Sequence, residues 1–222
     1  MLRREFSQAT LTAVSAAALT GLAATLPLAA QAQGEPPTEG SDYLVLDKPA
    51  PVEAPAGKIE VVEFFWYSCS HCNSFEPQLE EWIKKAPKDV VVRRVPVSFR
   101  PDFEPQQRLY FVLEALGKVD ALQKKVFAAI HVEKQALNTP ELIFAWAQKQ
   151  GLDRAKFTEL YNSFPVNLKA RKATQLQDAF KVDGVPALGV AGRFYTSGSL
   201  AGSMPRALLV TDYLITQARK AR

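Results

Sequence analysis

The only two cysteines of the chain, Cys69 and Cys72, lie in the segment WYSCSHCN (residues 66–73), with His71 between them. Residues of these types form structural disulfides, metal sites or redox-active pairs. A disulfide across two residues closes so short a loop that it constrains the unfolded chain very little. A zinc site needs four ligands, and His131 is the only other histidine. The pattern therefore favours a redox-active pair over a structural disulfide and over a metal site.

The elements on either side of this segment decide how the pair is placed. Residues 58–65 form a β-rich run that is mostly apolar on both faces, which predicts a buried strand with Glu63 as its anomaly. Residues 73–85 carry apolar side chains at helical spacing, and residues 90–97 form a second β-rich run. This order predicts a βαβ unit with the cysteines at the turn between the first strand and the helix.

The start of a helix is a favourable place for a cysteine thiolate. Unpaired backbone N–H groups and the positive end of the helix dipole both stabilise a negative charge there. We expect Cys69, at the turn, to be the exposed nucleophile and Cys72 to be shielded by the helix. His71, when it is protonated or donates from a ring nitrogen, stabilises the Cys69 thiolate further.

The rest of the chain predicts a helical region followed by a return to β-structure. Helical patterns run from about Pro105 to Phe180, and His131 is predicted on a helix surface. A strand is expected over residues 182–190, a partner strand near residues 193–195 and a final helix after Ser203. Residues 43–46 suggest an edge strand. The expected fold class is α/β, a mixed sheet flanked by helices with an all-helical insertion.

The first residues have the character of a targeting segment. Arg3 and Arg4 precede an apolar stretch that ends in the small-x-small sequence Ala30-Gln31-Ala32. We expect a signal peptide over residues 1–32, cleaved near Ala32, and a flexible lead-in over residues 33–56. An uncleaved membrane anchor and export by the twin-arginine route remain alternatives. The net charge of +4 is too small to indicate nucleic-acid binding.

Two segments carry a resemblance to a known family. EFFWYSCSHC (residues 63–72) resembles the active-site segment of the DsbA family of periplasmic thiol:disulfide oxidoreductases, and GVPA (residues 184–187) resembles its cis-proline loop. The resemblance implies a thioredoxin fold with an inserted all-helical domain. It places the thioredoxin-like domain at residues 57–102 and 165–222, and the inserted domain at residues 103–164.

The resemblance also implies roles for individual residues. Cys69 is the nucleophile, Cys72 the resolving thiol, His71 tunes the pair, and Glu63 is a buried acid that relays a proton. The substrate-binding residues are Val185 and Pro186 in the cis-proline loop, Trp66 as an apolar rim, and Ser70. Ser70 departs from the proline of the best-known members, and it lies in the dipeptide that sets the redox poise. Arg94 is a loose match to a lysine that pairs with the buried acid.

The function implied is a periplasmic oxidase that donates its Cys69–Cys72 disulfide to reduced, unfolded exported proteins. The resemblance implies a membrane oxidase of the DsbB kind as the re-oxidising partner. We expect a monomer without cofactor, metal or nucleic acid. A disulfide reductase or isomerase of the same fold and a non-catalytic peptide-binding chaperone are the alternatives. Val185, where isomerases tend to carry threonine, and the short lead-in argue against an isomerase.

Overall fold

A five-stranded mixed sheet forms the centre of the fold. The computed structural model describes residues 36–221, so the predicted signal peptide lies outside the described residues. The strands follow the spatial order β1-β5-β4-β2-β3. They are β1 (Leu44–Val45), β2 (Ile59–Phe65), β3 (Val90–Pro96), β4 (Ala187–Val190) and β5 (Phe194–Ser197).

Eight α-helices surround this sheet within the described residues. They are α1 (Ser70–Lys85), α2 (Glu104–Ala115), α3 (Val119–His131), α4 (Pro140–Lys149), α5 (Arg154–Tyr161), α6 (Phe164–Ala179), α7 (Gly198–Ala201) and α8 (Met204–Lys220). A short 3-10 helix, Pro101–Phe103, leads into α2. None of the helices in this part of the chain is both long and apolar enough to cross a membrane.

Strand β2 is central and carries the site at its carboxyl end. It pairs in parallel with β3 and antiparallel with β4, and all seven of its residues are buried. Because β3 follows β2 through α1, the βαβ unit predicted from the sequence is confirmed. The register sets Glu63 beside Arg94 on β3 and beside Leu188 on β4. A carboxyl group therefore lies on an interior strand of the sheet, with a paired strand on each side.

The side chains of β2 pack into two hydrophobic clusters, because the strand has side chains on both faces of the sheet. Val61 belongs to a cluster with Phe75 of α1 and Leu214 of α8. Phe64 belongs to the other cluster and contacts the ring of Phe180, with ring centroids 5.2 Å apart. The sheet is thus covered on both faces, which explains why β2 is apolar on both sides.

The helical region lies between β3 and β4 in the chain, and α2 to α6 form it. Its helices begin at residues that the sequence favours for this position. Thr139, Asp153 and Ser163 each accept a hydrogen bond from a backbone N–H in the first turn of α4, α5 and α6. The predicted thioredoxin fold with a helical insertion is confirmed. The boundaries at residues 103 and 164 stay predictions.

The lead-in requires a correction over residues 36–56. Leu44 and Val45 pair with β5, and the backbone N–H groups of Leu46 and Ala50 donate to Arg193 and Gly192 at 2.7 Å each. This part of the chain is packed along the sheet edge, although its Pro-rich composition predicted a flexible segment. The edge strand expected at residues 43–46 is confirmed, with two residues in the strand.

Candidate active site

The sulfur of Cys69 caps the amino-terminal end of α1. Cys69 has extended backbone angles (φ −79°, ψ 117°), and its Sγ accepts a hydrogen bond from the backbone N–H of Cys72 at 3.3 Å. This is the geometry in which serine or aspartate usually caps a helix. The fold thereby places one sulfur among the unpaired N–H groups of the first helical turn.

The two thiols lie in different surroundings. Cys69 is half-buried and Cys72 is buried, and both are free thiols in this structure. Hydrogen bonding from Cys72 lowers the pKa of Cys69 to about 6, with further contributions from the backbone N–H and the charge of His71. Burial raises the pKa of Cys72 well above its ordinary value. At neutral pH the pair therefore holds one accessible thiolate and one shielded thiol.

The two residues between the cysteines, Ser70 and His71, are both exposed. Solvent screens the charge of an exposed ring, so its effect on a neighbouring sulfur is modest. The contribution of His71 to the Cys69 pKa is accordingly smaller than that of the hydrogen bonds from Cys72. His71 also lines a groove that runs beside the cysteines.

A loop that lies 116 residues later in the sequence contacts Cys69 directly. The Val185–Pro186 peptide bond is cis, as expected from the resemblance. Cys69 Sγ lies 3.3 Å from the carbonyl oxygen of Val185 and donates to it when the thiol is protonated. The adjoining groove has a volume of about 400 Å³, and its lining includes His71, Asp183, Val185, Pro186, Ser199 and Met204.

Behind the cysteines lies a buried group of two carboxylates and a guanidinium. Arg94 Nη1 lies 3.2 Å from Glu63 Oε2 and 2.7 Å from Glu76 Oε2. Both glutamates are buried, and the Arg94 side chain is 12% exposed. Burial raises the pKa of Glu63; Arg94 lowers it and Glu76 raises it again. The charge of Glu63 in turn raises the pKa of Cys72.

Sequence reasoning identified two members of this group and missed the third. Glu63 was recognisable because it interrupts an apolar strand, and Arg94 was a loose match. Glu76 gave no such signal, because a glutamate in the helix SHCNSFEPQLEEWIKK looks like an ordinary surface residue. Its position four residues after Cys72, on the face that also buries Leu79, is the pattern that identifies it.

An aromatic cluster extends from the segment before Cys69. Trp66 is half-buried and stacks on Phe103, with ring centroids 3.9 Å apart and an angle of 19° between the planes. Phe99 is 38% exposed and meets the edge of Phe103 at 5.8 Å. Tyr67 is fully buried instead. Of the sequence neighbours Trp66 and Tyr67, Trp66 is thus the partly exposed one, and the rings around it are apolar.

Within residues 36–221 no group of three or more histidine, cysteine, aspartate or glutamate side chains could hold a metal ion.

His131 lies on α3, and its ring nitrogen contacts the carbonyl oxygen of Tyr67 at 2.8 Å. The prediction that His131 is a surface residue needs correction, because the ring is partly buried against the active-site segment.

Comparisons with known proteins agree with this arrangement. A family model described as a DSBA-like thioredoxin domain matches residues 60–209. Thiol:disulfide interchange protein DsbA of Bordetella pertussis is 44% identical over 212 residues, which cover 95% of this chain and 98% of that protein. The protein of the same name from Pseudomonas aeruginosa is 38% identical over 204 residues, which cover 92% and 95%. A crystal structure of Pseudomonas aeruginosa DsbA matches with a TM-score of 0.79 at 39% identity, over 83% of this chain and 95% of that one. The chain therefore belongs to the DsbA family of thiol:disulfide oxidoreductases, with the thioredoxin fold that its sequence predicts.

Proposed function

We propose that this oxidoreductase donates a Cys69–Cys72 disulfide to reduced, unfolded proteins. The observation that carries the proposal is the contrast between the two thiols: the pKa of Cys69 is lowered to about 6 by hydrogen bonding from Cys72, whereas burial raises the pKa of Cys72. A stable thiolate on one side stabilises the reduced pair, and a stabilised reduced form makes the disulfide a stronger oxidant.

The exchange proceeds in two displacements that transfer two electrons. A client thiolate attacks Cys69 Sγ of the disulfide, forming a client–Cys69 bond while the Cys69–Cys72 bond breaks and Cys72 leaves as a thiolate. A second client thiolate then attacks the client sulfur, and Cys69 leaves as its stabilised thiolate. The client ends oxidised by two electrons, and the protein ends as the dithiol.

Glu63 fits the role of proton donor to the leaving Cys72. The buried Cys72 thiolate needs a proton, because its pKa is raised by burial. Burial also raises the pKa of Glu63, so a proton is available there near neutral pH. Arg94 and Glu76 hold Glu63 beneath the site and moderate its charge. We assign Glu63 the relay and Arg94 its positioning.

The groove beside Val185 and Pro186 suits an extended client chain. A strand laid there meets backbone groups rather than a defined side-chain pocket, which allows a broad range of sequences. His71 lines this groove, and its sequence neighbour Ser70 is also exposed. The half-buried Trp66, three residues before Cys69 in the chain, supplies an apolar surface together with Phe103. Together these residues support the binding of unfolded segments in which apolar side chains are accessible.

The low pKa of Cys69 favours the oxidase over the two alternatives. A reductase needs a stable disulfide product, which a strongly stabilised thiolate opposes. A peptide-binding chaperone has no need of a thiol that is ionised at neutral pH, nor of a buried acid behind it. A chaperone predicts that client binding does not depend on the redox state of Cys69. A reductase predicts that the dithiol is the active form.

The setting proposed for this activity is the periplasm. The chain begins with a segment that has the composition of a signal peptide, and we place its cleavage near Ala32. A disulfide donor needs a compartment in which disulfides persist, and it needs an oxidant that restores it. We propose a DsbB-like membrane oxidase for that step and a monomeric protein that uses no metal or other cofactor.

A direct transfer assay tests this function. The oxidised mature protein is mixed with a reduced, unfolded protein that has one cysteine pair, and free thiols are counted by mass spectrometry. We expect one disulfide gained by the client for each one lost by the protein. Cys72→Ala, mixed with an oxidised client, should accumulate a covalent adduct through Cys69. Transfer by Cys69→Ala at the wild-type rate would remove Cys69 from the mechanism.

A further inference from the structure

The pre-cysteine segment, residues 66–68, is held in place by polar side chains from α2 and α3. We propose that His131 of α3 is a positioning residue for Cys69, acting through the backbone of Tyr67, and that Gln106 of α2 is its partner in this role. The inference depends on the proposed function, because it concerns the reactivity of the Cys69 sulfur.

The contact of His131 fixes the hydrogen on its ring. Its Nε2 lies 2.8 Å from the carbonyl oxygen of Tyr67. A carbonyl oxygen only accepts hydrogen bonds, so Nε2 must carry the hydrogen whether the ring is neutral or protonated. The ring lies beside Phe127, with centroids 6.1 Å apart, and it is partly buried. The last residue of α3 therefore presents a fixed N–H donor to the Tyr67 carbonyl.

Gln106 holds the next residue from the other side. Its Oε1 accepts from the backbone N–H of Ser68 at 3.2 Å, and its Nε2 donates to Ser68 Oγ at 2.7 Å. The same Nε2 donates to the carbonyl oxygen of Leu137 at 3.2 Å. Gln106 is buried, so these bonds are shielded from water. The residue directly before Cys69 is thus bound through both its backbone and its side chain.

The ring of Tyr67 completes the attachment. It is fully buried, and its hydroxyl donates to Gln123 Oε1 at 2.6 Å. Tyr67 is therefore held by α3 at its carbonyl and at its ring. The backbone N–H of Cys69 donates to the carbonyl of Trp66 at 3.1 Å, so the turn that carries the sulfur starts from this anchored segment.

The consequence concerns the bond that stabilises the thiolate. Cys69 Sγ accepts from the N–H of Cys72 at 3.3 Å, a length at which small movements of the sulfur weaken the bond. The first turn of α1 fixes the position of the Cys72 N–H. The pre-cysteine segment fixes the backbone of Cys69, from which the sulfur extends. Loss of the His131 donor leaves the Tyr67 carbonyl without that bond. The backbone that leads to Cys69 is then held less firmly.

The expected change is a less reactive Cys69 in a folded protein. The net contribution of one such hydrogen bond corresponds to a factor of about two to ten. We therefore expect His131→Leu to alkylate Cys69 about two to ten times more slowly than the wild type at pH 6. His131→Gln retains an N–H donor at the end of its side chain and should restore the rate. Val132→Ala, at the exposed neighbouring residue, is the matched control and should react like the wild type.

The experiment measures the iodoacetamide alkylation rate of the reduced proteins and, in parallel, their urea unfolding midpoints. A slow His131→Leu with a fast His131→Gln supports the positioning role. Wild-type rates in His131→Leu overturn it, and so do equally slow rates in both variants, which indicate ring packing alone. If His131→Leu does not fold, His131→Met, which also lacks an N–H donor, replaces it with the same expectations. A wild-type protein that transfers no disulfide to a client would instead contradict the proposed function.

Discussion

Replacing Cys72 with alanine tests what makes Cys69 acidic. Hydrogen bonding from Cys72 is the largest cause that lowers the pKa of Cys69 to about 6. The variant keeps the backbone N–H of residue 72 and both the N–H and the ring of His71. It therefore loses one contribution of several, and we expect the pKa of Cys69 to rise by about one unit.

The magnitude follows from the ionised fraction. A thiol of pKa about 6 is about 10% ionised at pH 5, and an upward shift of one unit leaves about 1%. Only the thiolate reacts, so Cys72→Ala should alkylate about ten times more slowly than the wild type at pH 5. At pH 9 the two proteins should react at similar rates, because Cys69 is ionised in both.

The assay is the rate of iodoacetamide labelling of Cys69 between pH 4 and pH 9, followed by mass spectrometry. Cys72→Ser is the matched control, because its hydroxyl still donates to the Cys69 sulfur and should keep the midpoint near the wild-type value. Identical midpoints in the alanine and serine variants would refute the reasoning, since the side-chain hydrogen bond would then contribute nothing.

Three further predictions concern the buried charges and the sheet. Burial raises the pKa of Glu63, so the folded state binds its proton more tightly than the unfolded chain does, and stability falls as the pH rises above the ordinary glutamate value of 4.5. Glu63→Gln should therefore raise the free energy of unfolding at pH 7 by about 1 kcal/mol or more, and urea titrations at pH 4 should show the gain disappear. Arg94→Met leaves the buried Glu76 without the guanidinium that lies 2.7 Å from it, so we expect a loss of about 3 kcal/mol at pH 7; an unchanged unfolding midpoint would show that this ion pair contributes no net stability. In Gly189→Ala the added Cβ would lie 2.4 Å from the ring of Phe180, so we expect a loss of about 1–3 kcal/mol in the same titrations, and an unchanged midpoint would show that the ring moves freely.

The βαβ unit and the reactive pair were predictable because their signals are local. An apolar run, a helical spacing and the Cys69-x-x-Cys72 pattern all lie within 40 consecutive residues or fewer, so the sequence alone sets them side by side. Glu63 was visible for the same reason, because a charge inside a buried strand breaks a local pattern.

The supporting residues were not predictable, because their contacts join distant parts of the chain. Gln106 contacts a residue 38 positions away and His131 one 64 positions away, and neither breaks any pattern of its own helix. Glu76 looks like a solvated helix residue until β3 brings Arg94 against it. The packed lead-in was missed because its partner, β5, follows about 150 residues later in the chain and the segment itself is rich in proline.

The central claim is that this protein is a disulfide donor, and its redox equilibrium with glutathione tests that claim most directly. The mature protein is equilibrated at pH 7 with buffers of varied reduced-to-oxidised glutathione ratio, and the Cys69–Cys72 dithiol fraction is measured by alkylation. The lowered pKa of Cys69 predicts a reduction potential above the value of thioredoxin, which is about −270 mV. A potential at or below that value would contradict the account and assign the protein to the reductases.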